Sequence, residues 1–392
     1  MKKDTTILIL ITLVLLLAGA LMIFSIGALQ DPRATVFLKH LLYLGVGIIC
    51  FLRLMYFDYR KLGTPRMLRL IVVAAIFLLI LTFIPPFGST INGASRWIGW
   101  KFISFQPSEF AKFAMVLLLA VRLTQHQAKI SNFGTGFVMP FFLAGIFVVI
   151  VLAQRDIGIP FVMLAATFAM VWVAGGRKLF LLGSAGFCAA GACGLVWMYP
   201  YRMDRIWALF DPWAYRETAG YHLIQSLYGF YQGGLWGRGP GAGEQKLDYL
   251  PAAHTDFIFS SLGEEFGLVG TIITVLLFLG MLYVALRISA KAPDLFGTLL
   301  ATGITMLLTV QAAFIMCVNV GLAPTKGLPL PFVSYGGSAL IVSLAMMGIL
   351  VNIGIQGELE RAEQPVGISL KIKRSAPAPI RPRLASPARA KS

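Results

Sequence analysis

TILILITLVLLLAGALMIFSIGAL, from Thr6 to Leu29, contains no charged side chain. Coiled as a helix, it is long enough to cross the roughly 30 Å of hydrocarbon in a bilayer. Lys2 and Lys3 ahead of it give the look of a secretory signal, but the run is longer than a signal h-region and is expected to stay as a membrane span. Runs of the same kind recur near 36–55, 68–84, 108–122, 137–153, 157–175, 179–199, 266–287, 296–319 and 338–356. The sequence therefore predicts an all-α polytopic membrane protein of about ten transmembrane helices. A large polar loop, residues 200–265, is expected between helices 7 and 8.

Composition points the same way. The 392 residues are 58% hydrophobic and 13% charged, with 29 Phe and a mean hydropathy of +0.79. That leaves too little polar surface to cover a water-soluble globule of this size. The net charge of +16 does not indicate nucleic acid, because Lys and Arg sit in short clusters between apolar runs and in the tail. With the N-terminus in the cytoplasm, most of the 33 Lys and Arg fall on that side, in the short loops on which the positive-inside rule acts. Both termini are then cytoplasmic and the long polar loop faces outward. Cys50, Cys188, Cys193 and Cys317 lie in apolar runs without a CxxC pair or a neighbouring His, and read as packing residues. Residues 1–357 form the membrane domain. Residues 358–392, rich in Pro, Ala, Arg and Lys, read as a disordered cytoplasmic tail that can touch anionic membrane lipids.

Ionisable residues beside membrane spans are where chemistry is expected. The richest string is QKLDYLPAAHTDFIFSSLGEE, Gln245 to Glu265, which carries Lys246, His254 and Asp256. Pro251 ends what precedes it, and Thr255 is expected to cap a helix on which Asp256, Ser260 and Glu264 share one face. A carboxylate in a first helical turn is held ionised by the amide dipoles. It is then either a helix-start residue or, if burial raises its pKa, a base. In FQPSEFAKF, Phe105 to Phe113, Glu109 and Lys112 stand one turn apart after Pro107 and Ser108, as a structural ion pair or a ligand site. AQRDIG, Ala153 to Gly158, is a tight turn presenting Arg155 and Asp156, and APTKGLPLPFVSYGGS, Ala323 to Ser338, brings Lys326 and backbone amides that could grip a phosphate or form a rigid connector. Arg202, Arg205, Arg216 and Arg238 add cations that would neutralise an anionic lipid head group. GRGPGAG, Gly237 to Gly243, lacks the Lys-Ser/Thr end of a P-loop and is not a nucleotide site.

Taken in order, QPSEFAK, GYHLIQSLYGFYQGGLWGRG, QKLDYLPAAHTDFIF, GEEFGLVG and PTKGLPLPFVSYGGS resemble the SEDS family (shape, elongation, division and sporulation) of FtsW, RodA and SpoVE, from about residue 6 to 357. PTKG and the LFDPW string at Leu209 to Trp213 lean toward its FtsW and SpoVE branch. The resemblance implies a ten-span bacterial inner-membrane protein that polymerises lipid II with a class B (FtsI-like) penicillin-binding protein and other divisome membrane proteins. It implies Asp256 as the catalytic aspartate, with Glu109, Lys112, Asp156, Lys326 and Ser334 as further functional positions. The chain departs from the family pattern at Arg155, where proline is usual, at Ala252, where Glu is usual, and at Pro240 within the glycine run.

On this reading Asp256 takes a proton from a lipid II hydroxyl, while Lys112, Lys326 or loop arginines meet the charge of a departing lipid diphosphate. No cofactor is needed for that chemistry. The competing role is a divalent cation (Mg or Mn) held by Asp256 with Glu109 or Asp156. Rival functions are a lipid II flippase, an elongation-type polymerase of the RodA kind, and a non-catalytic scaffold. A flippase needs polar groups through the bilayer midplane, where the spans offer mainly Gln311 and Asn319.

Overall fold

A computed structural model of the chain describes residues 3–30, 35–85, 87–91, 94–100, 103–197, 200–244 and 254–363. The order is α1 (Lys3–Gln30), α2 (Thr35–Tyr56), α3 (Pro65–Leu81), strands β1 (Gly88–Ile91), β2 (Ala94–Trp100) and β3 (Ile103–Phe105), then α4 (Pro107–Gln125), α5 (Met139–Ala153), α6 (Gly158–Val173) and α7 (Lys178–Trp197). Two shorter helices follow, α8 (Pro200–Phe210) and α9 (Tyr221–Gly233), before α10 (Ile258–Ala290), α11 (Leu295–Asn319) and α12 (Gly337–Glu363). Six helices among the described residues are long and apolar enough to cross a membrane: α1, α2, α5 with the π turn before it, α10, α11 and α12. The remaining expected segments are the helices α3, α4, α6 and α7.

Sequence decides where the helices begin. Pro65 and Pro107 occupy the first turns of α3 and α4, where a missing N–H costs nothing. Asp294 caps α11 by accepting from Gly297 N at 2.6 Å. Burial then sorts the bundle. α11 and α12 have most of their spanning windows enclosed, whereas α2 has 17%, and Leu42, Ile49, Leu276 and Leu279 turn apolar side chains outward. An outward apolar face is what lipid contact requires.

Three features correct the reading of the sequence. The described residues are mostly helical, but β1, β2 and β3 form a small antiparallel sheet between α3 and α4. The helix expected to start at Thr255 and run on into the eighth span is α10, from Ile258, but it is broken at Gly267 (φ 67°, ψ −163°). The loop after α9 fills that break: Arg238 N and Gly239 N donate to the carbonyls of Glu264 and Glu265 at 3.0 Å each. In return Leu268 N and Val269 N donate to Gly234 O and Leu235 O at 2.9 and 3.2 Å. Gly237 and Gly267 have positive φ and lie so close that a Cβ on either would meet the other's backbone nitrogen within 2.7 Å. Third, residues 358–363, expected in the disordered tail, are helical, since α12 continues to Glu363 and Arg361 bonds to Lys291 O at 2.7 Å. Residues 364–392 lie outside the described residues.

Candidate active site

The start of α10 stands beside the end of α11 and the start of α12, and there a cavity of about 610 Å³ opens. Asp256 reaches it from the turn 254–257, joined by Arg96 and Trp97 of β2, Gln106 before α4, Arg155, Arg205 of α8, and Lys326, Gly327 and Tyr335 of the α11–α12 connector. A larger groove of about 800 Å³ among α9, α10 and α11 is lined by apolar side chains without a charged group. It offers nothing to a reaction that moves protons, so the smaller cavity is the candidate.

The backbone under Asp256 is fastened at three successive carbonyls. His254 O accepts from Tyr335 N at 2.9 Å, Thr255 O from Ser334 Oγ at 2.6 Å, and Asp256 O from Asn319 Nδ2 at 3.0 Å. Ser334 Oγ itself accepts from Leu330 N at 2.8 Å, so this serine braces the connector against the turn. Enclosure pushes the Asp256 carboxyl up to about 6; a hydrogen bond from Thr255 and the charges of Arg96 and Arg205 oppose the shift, and Asp156 adds to it. An acid in that range changes charge close to neutral pH, as a general base should. Burial also lowers the pKa of His254, whose ring packs edge-on against Tyr335 at 5.7 Å.

The cations are tied down from behind. Asp156 is buried, with Arg96 Nε at 3.7 Å and Lys326 Nζ at 4.0 Å. Arg96 also donates to Gln154 O and Arg155 O, and Arg205 Nη1 donates to Thr325 O at 2.7 Å. Asp156 thus neutralises part of the positive charge around the cavity. Arg155 has φ 62° and donates its N–H to Leu152 O. A proline could neither take that φ nor make that bond.

The other expected site residues lie elsewhere. Glu109 and Lys112 are almost wholly buried and paired at 2.8 Å, and Lys112 also donates to Gln311 Oε1. They do not line the cavity. Arg238 pairs with Glu244 at 2.8 Å. The expected face of Asp256, Ser260 and Glu264 does not form, because α10 begins after Asp256. Its N-cap is Phe257, without a side-chain bond, and not Thr255. Ser260 Oγ turns to Ser226 O and Glu264 accepts from Glu244 N. Lys246 and Ala252 lie outside the described residues, as does the side chain of Arg202. Arg96, Trp97, Gln106 and Tyr335 were not singled out from the sequence. For the first two a signal existed, an Asn92-Gly93 pair flanked by STI and ASRWIGW, which is a hairpin pattern.

Gly327 lies against the acid, and a Cβ there would come 2.7 Å from Asp256 Oδ2. Gly327→Ala is therefore expected to displace the carboxylate and lower turnover by about 10-fold or more. Thermal stability should stay nearly unchanged, since only a side-chain tip must move. Turnover per folded molecule and Tm check the two halves separately.

Fold and site together define a polytopic α-helical membrane protein with a cation-lined acidic cavity at one end of its helices. The chain belongs to the FtsW/RodA/SpoVE family, whose model, described as a cell cycle protein, matches residues 5–358. It is 40% identical over 355 residues to the probable peptidoglycan glycosyltransferase FtsW of Geobacter sp. (strain M18), covering 88% of this chain and 95% of that one. Stage V sporulation protein E of Bacillus subtilis (strain 168) is 39% identical over 354 residues, 88% and 96% of the two chains. Among solved structures, a chain of a peptidoglycan synthase complex that coordinates polymerization and crosslinking superposes with TM-score 0.73 at 26% identity, over 89% of this chain and 97% of that one. The rod shape determining protein RodA of Thermus thermophilus shares the fold, with TM-score 0.66 at 24% identity over 89% and 96%.

Proposed function

We propose that this chain is a peptidoglycan glycosyltransferase that polymerises lipid II into glycan strands during cell division, working with a class B penicillin-binding protein in the bacterial inner membrane. Family membership and the relatives named glycosyltransferases support the activity. The observation that carries the chemistry is Asp256, set in a cavity whose other charged walls are Arg96, Arg155, Arg205 and Lys326. In this reading there are ten spans, both termini are cytoplasmic, and the cavity opens on the outer face, where lipid II carries its sugars.

Asp256 accepts the proton of the incoming sugar hydroxyl as that oxygen forms a bond to the anomeric carbon of the growing strand. The bond from that carbon to the lipid diphosphate breaks, and the electron pair leaves with the diphosphate. Arg96, Arg205 and Lys326 meet the charge that develops there. Asp256 later releases its proton to water. Because diphosphate is a good leaving group, positioning and proton removal carry the reaction, the latter typically supplying about 10² to 10⁴ in rate. A divalent cation is the competing assignment; Asp156 could join Asp256 in holding it, whereas Glu109 is engaged by Lys112.

Purified protein with its penicillin-binding partner and labelled lipid II should yield glycan strands resolved by gel electrophoresis. Absence of polymer with an active partner preparation would refute the proposal. Loss of polymer on adding a chelator, restored by Mg or Mn, would instead assign the carboxylates to a cation. A flippase is less well supported, since the cavity's charged groups lie at one end of the helices and Gln311 and Asn319 are hydrogen-bonded within the protein.

A further inference from the structure

α11 passes both loops that build the cavity, and it meets each of them with one buried amide. Gln311 and Asn319 are eight residues apart, on one face of the helix. Both are almost fully buried, 2% and 0% exposed.

Their bonding follows one plan. The Asn319 carbonyl, Oδ1, accepts from Ser260 N at 3.1 Å, sharing with Phe257 O, also at 3.1 Å, a first-turn amide of α10 that no N-cap side chain meets. Its Nδ2 donates to Asp256 O at 3.0 Å and to Ile315 O at 2.9 Å. The Gln311 carbonyl, Oε1, accepts from Lys112 Nζ, and its Nε2 donates to Pro329 O at 2.7 Å. Each side chain thus takes a proton donor from a helix with its oxygen and holds a carbonyl of a cavity loop with its nitrogen. One loop carries the acid. The other carries Lys326 and Gly327, which line the cavity with that acid.

We infer that Gln311 and Asn319 are positioning residues that fix the distance between the Asp256 carboxylate and the Lys326 connector. This rests on the glycosyltransferase reading. Each position needs an acceptor and a donor on one side chain of this reach, and an amide supplies both. Neither residue lines the cavity. Both act through the backbone of groups that do, and a displacement of about 1 Å in such a group can cost about 10²-fold in rate.

Asn319→Asp and Gln311→Glu test the inference, because each keeps the shape and the oxygen while deleting the donor. In the reconstituted polymerisation assay, kcat per folded molecule is expected to fall about 10- to 100-fold for each variant, with KM within about threefold. A merely structural role would reduce the folded fraction or Tm and leave kcat per folded molecule unchanged, and that result overturns the inference. A rise in KM at constant kcat overturns it too. Should the acidic variants fail to fold, Asn319→Ser and Gln311→Ser shorten the side chain without a buried charge and are read the same way. Wild type and Asp256→Asn run beside them: no polymer from wild type, or full activity in Asp256→Asn, defeats the glycosyltransferase reading and this inference with it. Normal controls with unaffected Gln311 and Asn319 variants defeat this inference alone.

Discussion

Replacing Asp256 by Asn should stop glycan synthesis, with turnover falling by about 10² to 10⁴. Asn has the same shape but cannot take a proton, and the turn beneath it is held by backbone carbonyls rather than by the carboxylate. The variant should therefore elute and melt like wild type. The acid supplies a second, independent signature in the pH profile. Its pKa of about 6 means that it is protonated and idle below that value and ionised above it. Wild-type kcat should rise as pH passes upward through about 6, then level off, and the residual activity of Asp256→Asn should lack that rise. A variant that polymerises at the wild-type rate would leave Asp256 without a catalytic role and favour a scaffold.

Lys112→Met should be the most destabilising single change near the site, costing about 3–5 kcal/mol. Glu109 is fully buried, and its one cationic partner among the described residues is Lys112 at 2.8 Å. Removing the lysine strands a charge among apolar side chains and deprives Gln311 Oε1 of its donor. Glu109→Gln combined with Lys112→Met removes the stranded charge and should recover most of the loss, because the pair itself contributes little beyond offsetting its own desolvation. Thermal unfolding in detergent measures both. Equal Tm for wild type and Lys112→Met would show that the pair is not buried in solution.

Much of this architecture could be read from residue order. Apolar runs specify spanning helices because a backbone in hydrocarbon must satisfy itself, so α1, α2, α11 and α12 appeared within a few residues of where they were expected. The HTDF string likewise marked Asp256. What sequence could not reveal was which charged groups meet. Glu109 and Asp156 look alike as acids near helix ends, yet one is sealed against Lys112 and the other stands behind Arg96 and Lys326. That difference depends on packing between elements far apart in the chain. The helix start was misplaced for a related reason: Thr255 is a good local cap, but Asn319, some sixty residues away, performs that function. The hairpin carrying Arg96 was missed because helical periodicity dominates so apolar a sequence and masks a short alternating segment.

The interruption of α10 at Gly267 bears on how the chain is made. Residues 234–239 leave the ribosome before 264–269, so the segment that mends the interruption already exists when the damaged turns emerge. Four peptide groups that the break leaves without helical partners can pair as soon as they are synthesised. A permuted version with α10 translated ahead of α9 would hold the same residues and lose that protection during insertion.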